Sequence, residues 1–240
     1  YYDGIRELSI SYDDRYIAFT SNHQIYLFDI DSESHTRISS GCIDEYPEFG
    51  IDNRIYFSRY DSENDRYKLM RMEIDGTDKQ NLCECSLFIS HIFPGQADSN
   101  IVYFIGNKKR FCRFCIEESE LTVLFTHPVE MKPISKSNND RYFSFGGDQK
   151  SYYLYDTELN SIEAYLTPPE WGKLILRMLP TEKVAVTIPI AGQAILRLLD
   201  IENGMQIGDE IIIENTANSA ESAFAISPNG EKIAFIHQEK

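Results

Sequence analysis

The chain has 240 residues, 42% hydrophobic and 25% charged, and its 38 acidic and 23 basic side chains leave a formal net charge of -15. That length supports one large domain or two small ones, and no apolar run approaches the roughly 18 residues of a membrane span. The acidity argues against phosphate-backbone binding, so neither nucleic acid nor a membrane is an expected partner. Five cysteines, an odd number, and the absence of any N-x-Ser/Thr acceptor point to a reducing, cytoplasmic setting. The chain starts at Tyr1, which leaves a removed targeting segment, and with it a periplasmic or secreted setting, open.

Taken in order, the first complete pattern runs from Ser9 to Ser39, SISYDDRYIAFTSNHQIYLFDIDSESHTRIS. It reads as four strands separated by turns. Its most apolar strand, YIAFT at Tyr16, has counterparts in RIYFS at Arg54, NIVYFI at Asn100, RYFSF at Arg141, KVAVTI at Lys183 and KIAFI at Lys232. These markers lack polar–apolar alternation, which predicts strands covered on both faces. Before most of them lies a first strand, in LSISY, YPEFG, MKPIS, LILRML and AFAIS. The links carry Asp13-Asp14, Asp52-Asn53, Asn138-Asn139-Asp140 and Pro228-Asn229-Gly230, residues that tolerate left-handed backbone and signal tight turns. Third strands follow in QIYLFDI, YKLMRMEI, RFCRFCI, SYYLYDT and AILRLLDI, with Asp29, Asp156 and Asp200 at equivalent places. More polar fourth strands such as HTRIS, KQNL, LTVLF and SIEAYL suit an outer position.

A repeat of about 40 residues with four strands each is the period of a propeller blade. The expected fold class is therefore all-β: a β-propeller of four-stranded antiparallel blades, five complete plus the first two strands of a sixth. The expected limits are residues 5–40, 43–83, 85–127, 130–167, 172–214 and a partial 221–240, within one domain over 1–240. The sixth unit stops after its second strand, so the ring is not expected to close from this chain alone, and further blades of the same protein are expected to complete it. The SPNGEKIAF hairpin, the IYLFDID strand and the EIDGTDKQNL turn resemble the propeller repeats of the TolB-type family, of Trp-Asp repeat proteins and, more distantly, of the N-terminal propeller of prolyl oligopeptidases. No unit carries the Trp-Asp or Gly-His pair, so the TolB type fits better. The resemblance implies a fold rather than an activity, since its hosts range from scaffolds to peptidases.

Catalytic signatures are missing: there is no G-x-S-x-G elbow, Walker loop, G-x-G-x-x-G or HExxH. Cys83-x-Cys85 and Cys112-x-x-Cys115 have a zinc-like look, but Cys112 and Cys115 point to opposite faces of a strand, so packed or exposed thiols are the preferred reading and no metal or cofactor is expected. The histidines are expected mainly in loops or at strand ends.

Propellers bind through their face loops, and three groups stand out there. Arg59 and Tyr60 open the Arg59–Asp65 segment, Lys108-Lys109-Arg110 is the only dense basic cluster, and Trp171 lies in the inter-blade segment Thr167–Trp171. Tryptophan is enriched at interface hot spots, although packing between blades accounts for Trp171 equally well. The expected function is a non-catalytic protein-interaction or ligand-sensing scaffold, with a protein or peptide partner at the face loops. The alternatives are the gating propeller of a prolyl oligopeptidase-like peptidase and a periplasmic or extracellular carbohydrate- or peptide-binding propeller.

Overall fold

A computed structural model describes residues 5–137, 139–146, 151–166, 175–178, 183–190, 193–200, 206–214, 224–226 and 233–235. Every regular element among them is a β-strand. Two compact units divide the chain, Tyr1–Pro128 and Val129–Lys240. Unit 1 holds three four-stranded antiparallel sheets, each in simple sequential order. They are β1 (Arg6–Ile10) to β4 (Ser34–Arg37) with β2 (Tyr16–Ser21) and β3 (Gln24–Asp29); β5 (Ile43–Phe49), β6 (Ile55–Asp61), β7 (Arg66–Met72) and β8 (Gln80–Cys85); and β9 (Ile89–Pro94), β10 (Ile101–Gly106), β11 (Arg110–Cys115) and β12 (Glu120–Thr126). Unit 2 holds β13 (Lys132–Lys136), β14 (Tyr142–Gly146), β15 (Ser151–Asp156) and β16 (Ser161–Leu166); β17 (Ile175–Met178), β18 (Lys183–Ile190), β19 (Gln193–Asp200) and β20 (Gln206–Glu214); and the pair β21 (Phe224–Ile226) and β22 (Ile233–Phe235). These are the five blades and two further strands of the propeller pattern.

Each marker strand of the sequence is the second strand of its sheet. Continuous apolar runs there correspond to burial on both faces: β10 is buried at all positions, and β6 at its first four. The outer strands are wetter, with every residue of β4 exposed. The second blade's outer strand extends to Cys85, two residues past the expected limit. In unit 1 the cores lie between neighbouring sheets. Ala18 and Ile25 of the first pack with Phe49, Ile55, Phe57 and Met70 of the second, and Tyr56 and Leu69 pack with Ile92, Val102, Phe104 and Phe114 of the third. Each fully buried aromatic or aliphatic side chain there contributes about 1.5–3 kcal/mol.

The turn between first and second strands repeats in detail. Asp14, Asn53 and Asp140 adopt left-handed backbone, with φ of 56°, 58° and 56°. Their N–H groups donate to Ser11 O, Gly50 O and Ser137 O at 3.0, 3.0 and 3.1 Å. One residue earlier, a side-chain oxygen caps the turn. Asp13, Asp52 and Asn139 each accept from the N–H two residues on, of Arg15, Arg54 and Arg141, at 3.2 Å. The third blade uses Asp98 for the same purpose, accepting from Asn100 N at 2.9 Å. Asp and Asn suit these positions because they tolerate left-handed backbone and bond their own chain.

The arginine that ends the turn then reaches across to the end of the third strand. Arg15 pairs with Asp29 at 3.1 Å and Arg141 with Asp156 at 3.1 Å, register partners across Tyr16↔Asp29 and Tyr142↔Asp156. The second oxygens of these aspartates accept from Asp31 and Ser32 N–H groups, and from Glu158 and Leu159 N–H groups. One carboxylate thus joins two turns of a blade. The Asn138 side of the blade-four turn, the Pro228-Asn229-Gly230 and Glu202-Asn203-Gly204 turns and the 147–150 loop lie outside the described residues.

Candidate functional site

The hairpins joining second to third strands in unit 1 are tight. In the first blade the two loop residues, Asn22 and His23, are left-handed at 50° and 58°, the twist of a two-residue primed turn, and in the third blade, where residues 107–109 separate the paired Gly106 and Arg110, Asn107 and Lys108 are left-handed at 49° and 59°. Lys108 therefore sits at the tip of the β10–β11 hairpin, and Arg110 begins β11 opposite Gly106. Lys109 Nζ donates to Pro128 O at 3.1 Å. At the base of this hairpin, Asn107 and Phe88 exchange two hydrogen bonds of 2.8 Å, which fixes Phe88 at the entry to β9.

Arg59 and Tyr60 lie within β6 rather than in a loop, because the β6–β7 pairing continues to Asp61↔Arg66. Arg59 is committed to Asp44 of β5 through a bidentate pair, Nε to Oδ1 at 2.7 Å and Nη2 to Oδ2 at 2.8 Å. Asp44 is completely buried. That hydrogen bond is the main reason the Arg59 guanidinium is held more basic than usual, against the cost of burial. Tyr60 donates to Asp65 Oδ1 at 2.9 Å and meets Tyr67 across the strands at a tilt of 38°, ring centroids 4.9 Å apart. Trp171 lies outside the described residues.

Tyr60 begins a row of half-buried rings that runs inward. Tyr67 meets Phe88 edge-on at 5.2 Å, Phe88 meets Tyr46 at 6.0 Å, and Tyr46 meets His91 at 5.3 Å. The last two belong to the first strands of their blades, and β5 adjoins both β1 and β9 in unit 1. Each of these strands carries a bulge. Register shifts fall between Arg6 and Leu8, between Glu45 and Glu48, and opposite Phe104/Ile105, and the residues Glu7, Tyr46 and His91 have φ of 49°, 57° and 48°. Glu and Tyr rarely adopt such backbone, and a bulge re-aims the side chain that it carries.

The bulged residues meet across blades. Tyr46 N–H donates to Glu7 Oε2 at 3.4 Å, and Glu45 accepts from His23 at 2.7 Å. Burial, then the carboxylates of Glu7 and Glu45, push the Tyr46 phenol well above its usual range. Burial, with the Glu45 charge behind it, raises the Glu7 carboxyl against a lowering contact from Thr20. The arrangement offers aromatic faces and carboxylates to a ligand.

Sequence reasoning named Tyr60 and missed Glu7, Glu45, Tyr46, Phe88 and His91. His91, expected like the other histidines mainly in loops or at strand ends, is in the middle of β9. All five thiols are free, and no cluster of three or more ligating side chains occurs among the described residues. Cys85 and Cys112 are buried in the core between the second and third blades, with Cys83 packed against it.

No protein-family model matches the sequence, and no curated protein matches it. Solved structures match in fold. A putative TolB from Agrobacterium tumefaciens superposes with a TM-score of 0.73 over 98% of this chain and 91% of that one, at 14% identity. TolB from Acinetobacter baumannii gives 0.64 at 12% identity over 88% of this chain, which spans 56% of that protein's length. A chain of the nidogen/laminin complex gives 0.64 at 11% identity, covering 86% of this chain and 79% of that one. The four-stranded blades described above and these superpositions together show that the chain has a β-propeller fold like that of the TolB structures.

Proposed function

We propose that the chain is a non-catalytic protein-interaction or ligand-sensing β-propeller module of a larger protein or complex, working in a reducing compartment, and that its partner binds at the face of unit 1 carrying the bulged first strands. The observation that carries the reading is the convergence of three left-handed, non-glycine residues, Glu7, Tyr46 and His91, on adjoining strands. Backbone strain of this kind costs about 1–3 kcal/mol per residue and clusters at ligand sites. The row from Tyr60 to His91 adds rigid aromatic area, the currency of interface hot spots. Participation of a chain of similar fold in the nidogen/laminin complex is in keeping with a protein partner.

Site-directed photo-crosslinking tests it. A photoreactive phenylalanine analogue at Tyr60 should capture a defined partner more efficiently than one at Thr36 on the outer strand β4, and Tyr46→Asn, which tolerates the left-handed backbone, should abolish the difference. Equal capture at both positions, unchanged by the substitution, refutes the assignment.

A further inference from the structure

Deepening the reading above and resting on it, we propose that the bulge face of unit 1 takes a positively charged side chain, lysine or arginine, presented by a protein partner. Cations bind over aromatic faces when a carboxylate stands nearby and water is thinned out. Tyr46 supplies the ring, flanked by His91 at 5.3 Å and Phe88 at 6.0 Å, and Glu7, whose Oε2 accepts from Tyr46 N–H at 3.4 Å, and the adjoining Glu45 supply the carboxylates.

The local charge balance leans negative. The cations around the face are taken up by other carboxylates: Arg59 by Asp44, and Lys68 by Asp61 at 2.8 Å. His23 meets one oxygen of Glu45 from an exposed position. Against Glu7 and Glu45, Arg6 acts on both Tyr46 and Glu7. The basic Lys108–Arg110 hairpin begins beside Phe88, but Lys109 turns to Pro128. An independent sign comes from beneath Glu7. Thr20 is 3% exposed, and its hydroxyl lies beside the Glu7 carboxylate without a hydrogen bond of full geometry. A buried hydroxyl left without a full partner costs free energy, and the group it faces is Glu7. A chain with net charge -15 also attracts basic partners over longer range.

The test is an NMR titration of the full 240-residue chain with four probes at millimolar concentration: Nα-acetyl-lysine methylamide, its arginine and norleucine counterparts, and tetramethylammonium. The lysine or arginine probe should move the amide resonances of Tyr46, Phe88 and His91 with an affinity about tenfold above that of norleucine, which is isosteric with the lysine stem and uncharged. Glu7→Gln and Glu45→Gln should each weaken it several-fold while leaving the norleucine response unchanged, and added salt should weaken it further. Norleucine binding as well as lysine at these resonances overturns the charge assignment and leaves the interaction face standing. Tetramethylammonium binding alone overturns it in favour of a small quaternary ammonium ligand. No response to any cation also overturns it, while the crosslinking comparison decides separately whether the face binds a partner.

Discussion

Replacing Arg59 with methionine keeps the aliphatic stem and removes the fork that holds Asp44. Asp44 is fully buried, its carboxylate accepts both guanidinium hydrogen bonds at 2.7 and 2.8 Å, and the Arg59 side chain is itself 17% exposed. Removing one partner of such a pair strands a charge in the interior, at a cost of about 3–5 kcal/mol. Residual solvent access at Arg59 favours the lower end, about 3 kcal/mol, a fall in melting temperature of roughly 10 °C for a chain of this size. The comparison that isolates the cause is Asp44→Leu/Arg59→Met. It removes the charge and the fork together and should recover at least half of the loss, since a buried ion pair and a packed apolar pair are close in free energy. Urea denaturation monitored by circular dichroism measures the parent chain, Arg59→Met, Asp44→Leu and the double variant. A loss below about 1 kcal/mol in Arg59→Met, the range of a surface pair, or a double variant as unstable as the sum of the singles, refutes the reasoning. Asp44 adjoins Glu45 and Tyr46, so Arg59→Met should also weaken the partner capture expected at Tyr60.

Acid should unfold the chain in a window that the aspartates set. Lys68 and Asn64 hold the Asp61 carboxyl down, Thr77 does the same for Asp75, and the Ser32 N–H and Arg15 for Asp29. At Asp156 burial pushes the other way and is outweighed by Arg141 and the Leu159 and Glu158 N–H groups. A carboxyl depressed by folding stabilises above its unfolded value and loses that contribution as pH falls through its folded value. Melting temperature should therefore hold steady above about pH 4 and decline below it, and Asp156→Ala should flatten the decline. In the β7–β8 turn, Gly76 has φ of 82°, and a Cβ there would lie 2.5 Å from Ile38 O. Gly76→Ala should cost about 1–3 kcal/mol in the same assay. Alkylation should modify the partly exposed Cys42 and Cys115 ahead of Cys112, which is buried and whose thiol burial pushes up to about 12. The Cys83 thiol holds Cys85 down through a hydrogen bond, so Cys83→Ala should shift the Cys85 alkylation profile to higher pH.

The blades were legible because two local signals agree. Consecutive apolar residues such as Ile101-Val102-Tyr103-Phe104 are what a strand buried on both faces requires, and Asp14, Asn53 and Asp140 take the left-handed backbone that their chemistry favours. The first strand of the third blade, Ile89–Pro94, is harder to see. Its register is broken at His91, and a longer link, from Gly95 to Asn100, separates it from β10. The binding face was illegible for a related reason. A bulge inserts one residue without changing composition, and Glu7, Tyr46 and His91 belong to no turn-forming class, so nothing local marks them. Their meeting depends on strands about 40 residues apart, a proximity that the repeat implies only once the blades are in place.

The bulges also separate two jobs within each inner strand. Downstream of the extra residue, Ser9 and Ile10, Phe49, and Ile92 and Phe93 are buried. Ser9 Oγ ties the first two blades together there, donating to Glu48 at 2.7 Å and accepting from Phe49 N–H at 3.1 Å. The inserted residue resets the alternation, so Glu7, Tyr46 and His91 stand outside the packing code that governs those positions. Substitutions at these three sites change what the module displays, and residues that accept left-handed backbone, asparagine, aspartate or glycine, do so at the least cost to the blades.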